Sequence, residues 1–366
     1  MKLIIGRDAL AEPLHAVANV VEKRQTLPIL ANVLVNAVDN AVTFTATDME
    51  VEIQVRIDHK AQSKGGVTLP ARKLVDICRA LPPDATIELE TSGDKVSIKS
   101  GRSRFSLMTM ASDEFPSLGD IEGKVAFQVP ATELRELIEQ TQFAMAHQDV
   151  RYYLNGMLLE VHKDSLKAVA TDGHRLAMCE KRMKFDIAET VQIVIPRKGV
   201  TELAKILGDS ENEVSVAVND NHIQVTTTDK RFISKLIDGR FPDYERVLPQ
   251  NTSKVVEADR ETLRQGLART SILSNEKFRG VRLSLSTDQL RALAHNPEQE
   301  EAEEEMEVSY DGPELEIGFN VSYLLDVLNV IKNDSVNLHL SDANSSCLIQ
   351  GKGDEYGRYV VMPMRL

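Results

Sequence analysis

The sequence predicts an α+β protein, with helices on one face of largely antiparallel sheets, built three times over. Two interleaved sets of similar segments, and the alternating runs that follow them, carry this prediction. The first set is LPARKLVDICRAL at 69–81, IPRKGVTELAKIL at 195–207 and FNVSYLLDVLNVI at 319–331. Each has an extended apolar residue, a turn or cap, and then a helical pattern. Leu74, Val200 and Leu324 mark equivalent places, 126 and 124 residues apart. The second set is IGRDALAEPLHAV at 5–17, VPATELRELIEQT at 129–141 and EADRETLRQGLAR at 257–269, where Leu10, Leu134 and Leu263 lie 124 and 129 apart. The sets are offset by half a period, so the 366 residues divide into three copies of about 122, each of two half-repeats.

Taken in order, the first helix is predicted over 7–24, weakened by Pro13 unless that residue lies in the first turn. Strands follow at VLVNAV and VTFTAT within 33–47, where β-branched residues alternate with polar ones. A second helix over 70–81 leads to IELET and VSIKS within 87–100. The third helix, over 131–145, sets Leu134, Leu137, Ile138, Thr141 and Met145 on one face. The fourth covers 196–207 and precedes VSVAV and IQVTTT within 214–228; the fifth covers 259–271. The sixth, over 320–333, buries Val321, Leu324, Leu325, Leu328 and Ile331. Two turn-rich strings, SDEFPSLGD at 112–120 and DGRFPDYERVLPQN at 238–251, read as linkers between copies. The expected domains are therefore 1–122, 123–248 and 249–366.

Composition narrows the function. A chain that is 42% hydrophobic and 27% charged has globular composition, and no apolar run is long enough to span a bilayer. No secretory signal is visible, which predicts a cytoplasmic protein. Cys78, Cys179 and Cys347 are odd in number and far apart, which excludes a disulfide framework and a four-cysteine zinc site. They read as small buried hydrophobes. A net charge of −13 excludes a protein that coats a polyanion with a uniformly basic surface. The six helix windows nevertheless sum to +3, leaving −16 for the rest. Helices sharing one surface could face phosphate; ordinary solvated helix faces would give the same count.

Two patches of opposite sign stand out. PEQEEAEEEME at 297–307 carries seven glutamates, and SIKSGRSRFSL at 97–107 offers Lys99, Arg102 and Arg104 beside Phe105 and Leu107. Complementary edges permit head-to-tail association, although an acidic loop that only keeps the chain soluble is equally compatible.

Catalytic signatures are absent: there is no Walker A string, GxGxxG, HExxH or GxSxG. A metal-dependent hydrolase would have to use His147, Asp149, Asp172 and His174, and those pairs lack a third ligand at short spacing. A purely structural repeat ring is a further alternative. HQDVRYYLNGM at 147–157 gathers Gln148, Arg151, Tyr152 and Tyr153, side chains suited to phosphate contact and base stacking, or a loop entering a strand with one buried tyrosine. Lys23 and Arg24 lie in a second basic stretch. The tail YVVMPMRL is apolar almost to the last residue, as a final core strand or the rim of an adaptable peptide groove would be.

Together with the triplication, the strings HQDVRYYLNGM, TDGHRLA, PRKGV, SKLIDGRFPDY, ILSNEKFRGVRL, NPEQEEAEE, EIGFNVSYLLDVL and YVVMPMRL resemble the bacterial replicative sliding clamps, the beta subunits of DNA polymerase III, over the whole chain. Departures lie mainly in the loops 58–67, 182–189 and 350–357. The resemblance implies a DNA clamp fold of three domains, each of two βαβββ halves. Two chains would close head to tail into a ring, helices lining the hole and sheets outside. It implies a non-catalytic processivity subunit of the polymerase III holoenzyme, at the nucleoid and replication fork, with no cofactor and no metal. Double-stranded DNA would be encircled without regard to sequence, and the primer-template single strand also contacted. Arg24, Arg72, Gln148, Tyr152 and Tyr153 would touch DNA.

The resemblance further implies a partner groove. It would comprise Leu154, Thr171, Gly173, His174, Arg175, Leu176, Pro242, Arg246, Val247, Val360, Met362, Pro363, Met364 and Arg365. Peptides of QLxLF type would enter it from the polymerase III catalytic subunit, the clamp loader, other DNA polymerases, mismatch-repair proteins and DNA ligase. At the homodimer interface Phe105 and Leu107 would pack near Ile272 and Leu273. Lys73, Arg102 and Arg104 would face Glu298, Glu300, Glu301 and Glu304.

Overall fold

The computed structural model describes residues 1–21, 27–208, 211–250 and 252–365. Arg24, expected to contact DNA, and the neighbouring Lys23 lie outside the described residues. Among those described, six α-helices and 24 strands form one unit six times: strand, helix, three strands. The first half-repeat is β1 (Lys2–Gly6), α1 (Arg7–Ala18), β2 (Asn32–Val38), β3 (Ala41–Thr47) and β4 (Val51–Asp58). The second is β5 (Gly65–Pro70), α2 (Ala71–Ala80), β6 (Thr86–Ser92), β7 (Lys95–Ser100) and β8 (Ser103–Met108). The third is β9 (Val125–Pro130), α3 (Ala131–Thr141), β10 (Gly156–Val161), β11 (Ser165–Thr171) and β12 (Arg175–Arg182). The fourth is β13 (Val191–Pro196), α4 (Arg197–Leu207), β14 (Glu213–Val218), β15 (His222–Thr226) and β16 (Lys230–Lys235). The fifth is β17 (Lys254–Asp259), α5 (Arg260–Thr270), β18 (Gly280–Ser286), β19 (Gln289–His295) and β20 (Glu301–Glu307). The sixth is β21 (Leu315–Asn320), α6 (Val321–Val330), β22 (Ser335–Leu340), β23 (Cys347–Gly351) and β24 (Gly357–Val361).

The helices bury the stripes that their periodicity predicts: Leu74, Val75 and Cys78 on α2, and Val321, Leu324, Val327 and Leu328 on α6. Val327 takes the buried place expected of Leu325, which is only half-buried. Three helix expectations change. The first helix ends at Ala18, short of the expected 24. Pro13 lies in the middle of α1, not in its first turn. Its ring is buried with Leu10, Leu14 and Val17 on the face that packs against β3 and β4, and this burial offsets the hydrogen bond that proline cannot donate. The third helix stops at Thr141, whose buried hydroxyl donates to the Leu137 carbonyl at 2.7 Å; Met145 lies beyond it, buried from a short 3-10 turn.

Every strand pairing is antiparallel, and the halves of each copy interlock. The first strand of one half pairs with the second strand of the other: β1 with β6 and β5 with β2, β9 with β14 and β13 with β10, β17 with β22 and β21 with β18. Fourth strands then join copies. β4 pairs with β16 and β12 with β24, giving two eight-stranded sheets, β5-β2-β3-β4-β16-β15-β14-β9 and β13-β10-β11-β12-β24-β23-β22-β17. Two four-stranded sheets remain, β1-β6-β7-β8 and β20-β19-β18-β21.

The described chain accordingly falls into two compact units, Met1–Arg135 with Lys198–Leu236, and Glu136–Arg197 with Ile237–Leu366. Each unit holds one eight-stranded and one four-stranded sheet, and both draw strands from the second copy. The strings read as linkers are pinned. Phe115 is buried against Ile29 and Leu30. The Leu118 amide donates at 2.8 Å to Glu52, a fully buried carboxylate that also pairs with Arg231 at 2.9 Å across the β4–β16 joint. In the other string Phe241 and Tyr244 enter the core.

Candidate functional site

The richest constellation lies in the second unit, around the β12–β24 joint. Leu176 sits opposite Val360 in that pairing. Both belong to an apolar cluster with Leu158, Val169, Met178, Val194, Phe241 and Tyr244, and Val247 and Leu248 pack against it. The turn before β12 is built from its own side chains. The Thr171 hydroxyl donates to the Arg175 carbonyl at 2.6 Å and accepts from the Gly173 amide at 3.1 Å. The Asp172 carboxylate accepts from the His174 and Arg175 amides at 2.9 and 3.0 Å. Gly173 has φ +88°, and a Cβ there would lie 3.1 Å from the Arg151 guanidinium, so conformation and space both call for glycine. His174 is left exposed at the turn.

One wall is the 3-10 helix Tyr244–Val247. Pro242, two residues before it, and Arg246 on it are exposed, and Arg246 pairs with Asp243 at 2.7 Å. Tyr244 anchors it from beneath, its hydroxyl donating at 2.5 Å to Glu160 on β10. Glu160 is buried and also accepts from the Gln192 side-chain Nε2. Burial first, and then the bond to Glu160, push the Tyr244 phenol far above its usual range, so it remains a donor at any physiological pH. The opposite wall is the tail. The Met362 amide donates to the His174 carbonyl at 2.9 Å and the Met364 amide to the Gly318 carbonyl at 2.8 Å, leaving Met362 37% exposed.

These bonds gather Thr171, Gly173, His174, Leu176, Pro242, Arg246, Val247, Val360, Met362 and Pro363 around one apolar floor. Leu154 is a buried support, its carbonyl accepting from the Ala146 amide at 2.8 Å. Arg175 is no free cation. Its guanidinium reaches Asp172 at 3.1 Å, the Phe143 carbonyl at 2.8 Å and Asp326, and lies 4.5 Å from the centre of the Tyr323 ring. These partners hold its side chain in place beside the turn. Met364 and Arg365 border a separate hollow. Sequence reasoning missed Glu160 and the anchoring role of Phe241 and Tyr244. The one available signal was two aromatics three apart in a string read as a linker.

The loop 147–155 is organised by Asp149. Its carboxylate accepts from the Arg151 amide at 2.8 Å and pairs with the Arg151 guanidinium at 2.9 Å, while Asn155 brackets its backbone with two 2.8 Å bonds. Gln148 takes a left-handed φ of +54°, Tyr152 is 74% exposed, and Tyr153 is half-buried. The hydrogen bond from Arg151 holds the Asp149 carboxyl down at about 2. A depressed carboxylate contributes stability above its unfolded value and loses it as pH falls through the folded value. We therefore expect the tyrosine NMR shifts of this loop to be constant from pH 8 to 4 and to move only towards pH 2; a transition near neutrality would mean that an imidazole sets the loop. In the other unit Arg72 is exposed and donates to the Val21 carbonyl at 3.1 Å.

With Asp149 held by Arg151 and Asp172 by Arg175, the hydrolase alternative lacks free carboxylates. Among the described residues no three His, Cys, Asp or Glu side chains converge as a metal would require. The three cysteines are buried, and desolvation raises the Cys78 thiol to about 11 and the Cys179 thiol to about 12, which removes them as nucleophiles. No described helix is long and apolar enough to cross a membrane.

The two charged patches are edges. β8 is bonded on one side only, to β7, with Phe105 and Leu107 on one face and Arg104 on the other. Arg102, just before it, and Lys73 on α2 are exposed. The acidic run is an edge strand, not a loop: β20 is bonded only to β19. Glu298, Glu300 and Glu301 are exposed. Glu304 already pairs with Arg269 on α5 within the chain. Ile272 is 74% exposed on the 3-10 turn after α5, with Leu273 half-buried beside it.

Three family profiles match in register: the N-terminal, central and C-terminal domains of the DNA polymerase III beta subunit, at residues 1–119, 128–243 and 245–365. The chain belongs to the DNA polymerase III beta subunit family. Within that family it is 52% identical to the beta sliding clamp of Pseudomonas putida and 48% identical to that of Escherichia coli K12, each over the whole of both chains. The solved sliding clamp of Pseudomonas aeruginosa, crystallised with a ligand, matches all of both chains with a TM-score of 0.96 at 51% identity. That of Bartonella birtlesii, bound to griselimycin, does so with 0.97 at 35%.

Proposed function

We propose that two copies of this chain close head to tail into a ring around duplex DNA, through β8 of one copy and β20 of the next. As a member of the sliding-clamp family the protein is a processivity factor and not an enzyme. One observation supports the ring above all. Numbering the half-repeats one to six, the first pairs with the fourth through β4 and β16, and the third with the sixth through β12 and β24. Among the fourth strands of the described half-repeats, the two left without a second partner are those of the second and fifth halves, β8 and β20. Continuing the same offset joins the fifth half of one copy to the second half of the next. Edge strands invite such pairing, and opposite charge sets its direction: Arg102 and Arg104 on one edge, Glu298, Glu300 and Glu301 on the other. The domains would be 1–122, 123–248 and 249–366.

A ring holds DNA by topology, so it needs only weak, sequence-blind phosphate contacts. The relatively positive helices, Arg24, Arg72 and the Gln148–Tyr153 loop would supply them, the loop also reaching the single strand. The groove between the Tyr244–Val247 wall and the tail would take QLxLF-type peptides, burying leucine and phenylalanine on the Leu176–Val360 floor. The catalytic polymerase subunit, clamp loader, other polymerases, mismatch-repair proteins and ligase would compete there. Tethering raises the effective concentration of polymerase at the primer without any chemistry by the clamp. The test is retention after loading by a clamp loader and ATP. Retention on nicked circular DNA, with loss once that DNA is linearised, is expected; equal retention on both would mean electrostatic binding and no ring.

A further inference from the structure

A second hollow, of about 390 Å³, lies on the face of the β20-β19-β18-β21 sheet opposite the buried Val281 and Leu283. Phe278, Leu293 and Met364 give it apolar walls, and Arg282, His295 and Arg365 stand around it. Phe278 is 55% exposed, yet its turn is fixed. The Asn275 side chain accepts from the Lys277 and Phe278 amides, both at 3.0 Å. Arg279 takes a φ of +52°, its amide donates to the Asn275 carbonyl at 2.8 Å, and its guanidinium reaches the Ser271 carbonyl at 3.2 Å and the Ser322 hydroxyl at 3.3 Å. An aromatic held out by a rigid turn loses little freedom on binding.

The hollow is separate from the partner groove, and the tail runs from one to the other. Met362 borders the groove and Met364 the hollow, two residues on, which is no more than about 7 Å of chain. Of the two guanidinium groups described around it, Arg282 faces Glu316 at 3.3 Å and Arg365 is exposed. We propose that the hollow is an extension of the groove that seats the residues flanking a partner's clamp-binding motif. An apolar side chain would lie against Phe278 and Met364, and a neighbouring carboxylate would meet Arg365. This rests on the groove reading above.

The test uses fluorescence anisotropy with the full chain, a QLxLF-type pentapeptide, and two longer peptides that add a leucine and an aspartate on its N-terminal or C-terminal side. One longer peptide is expected to bind about tenfold more tightly than the pentapeptide, equivalent to about 1.4 kcal/mol. Phe278→Ala should abolish that gain and leave pentapeptide affinity unchanged, and replacing the added aspartate by asparagine should reduce the gain. No gain from either extension, or a gain that survives Phe278→Ala, overturns the proposal while the groove reading stands. Failure of the pentapeptide itself to bind overturns both. A change of Phe278→Ala from dimer to monomer by light scattering would assign the hollow to the subunit contact and equally overturn it.

Discussion

Replacing Ile272 and Leu273 together by aspartate is expected to yield a folded monomer that no longer stays on closed circular DNA. Ile272 is 74% exposed in the single chain, so its change costs the fold little, and the half-buried Leu273 carries most of the cost to the fold. In the ring both side chains would be covered. Burying a carboxylate without a partner costs several kcal/mol, and a head-to-tail dimer carries the same joint twice. At about 3 kcal/mol per joint, the ring loses about 6 kcal/mol, a change of about 10⁴-fold in its dissociation constant. Light scattering reads the result directly: one chain mass instead of two, with an unchanged circular dichroism spectrum. A variant that stays dimeric would show that the 271–273 turn lies outside the joint.

Removing residues 362–366 should abolish peptide binding and leave the ring intact. The tail sets Met362 beside the candidate groove, fixed by backbone hydrogen bonds from Met362 to His174 and from Met364 to Gly318, while β24 ends before it at Val361. Losing an apolar wall that closes over a buried anchor costs about 2–4 kcal/mol, or about 30- to 1000-fold in affinity. In the proposed ring the subunit edges would be β8 and β20, without the tail, so dimer mass should not change. Unaltered affinity for a QLxLF peptide would remove the groove assignment. Loss of the dimer would place the tail in the joint instead.

Much of the candidate groove was legible only through resemblance. Leu176 and Val360 are 184 residues apart in the chain, and nothing local says that they face each other across β12 and β24. The Glu160–Tyr244 anchor joins residues 84 apart, and a single buried carboxylate in an apolar strand leaves no periodic trace. Arg175 reads from sequence as an available cation. Its partners Asp326 and Tyr323 sit on α6, far along the chain, and they consume it. The acidic run read as loop or edge because consecutive glutamates disfavour a strand by themselves; pairing with β19 and neutralisation by Arg291 and Arg269 make it one.

The sequence by itself determined the six-fold recurrence of strand, helix and three strands. That pattern is local: apolar residues every three or four positions write a helix, alternation writes a strand, and turn residues separate them. It also determined the opposite charges of the two edges, because charge is composition. Only the tertiary structure decided which strands meet, why first strands are exchanged between halves, and why fourth strands join different copies. It alone kept Pro13 within α1 and turned two apparent linkers into anchored segments. Those outcomes depend on burial between residues distant in the chain, where packing outweighs the local preference of any one segment.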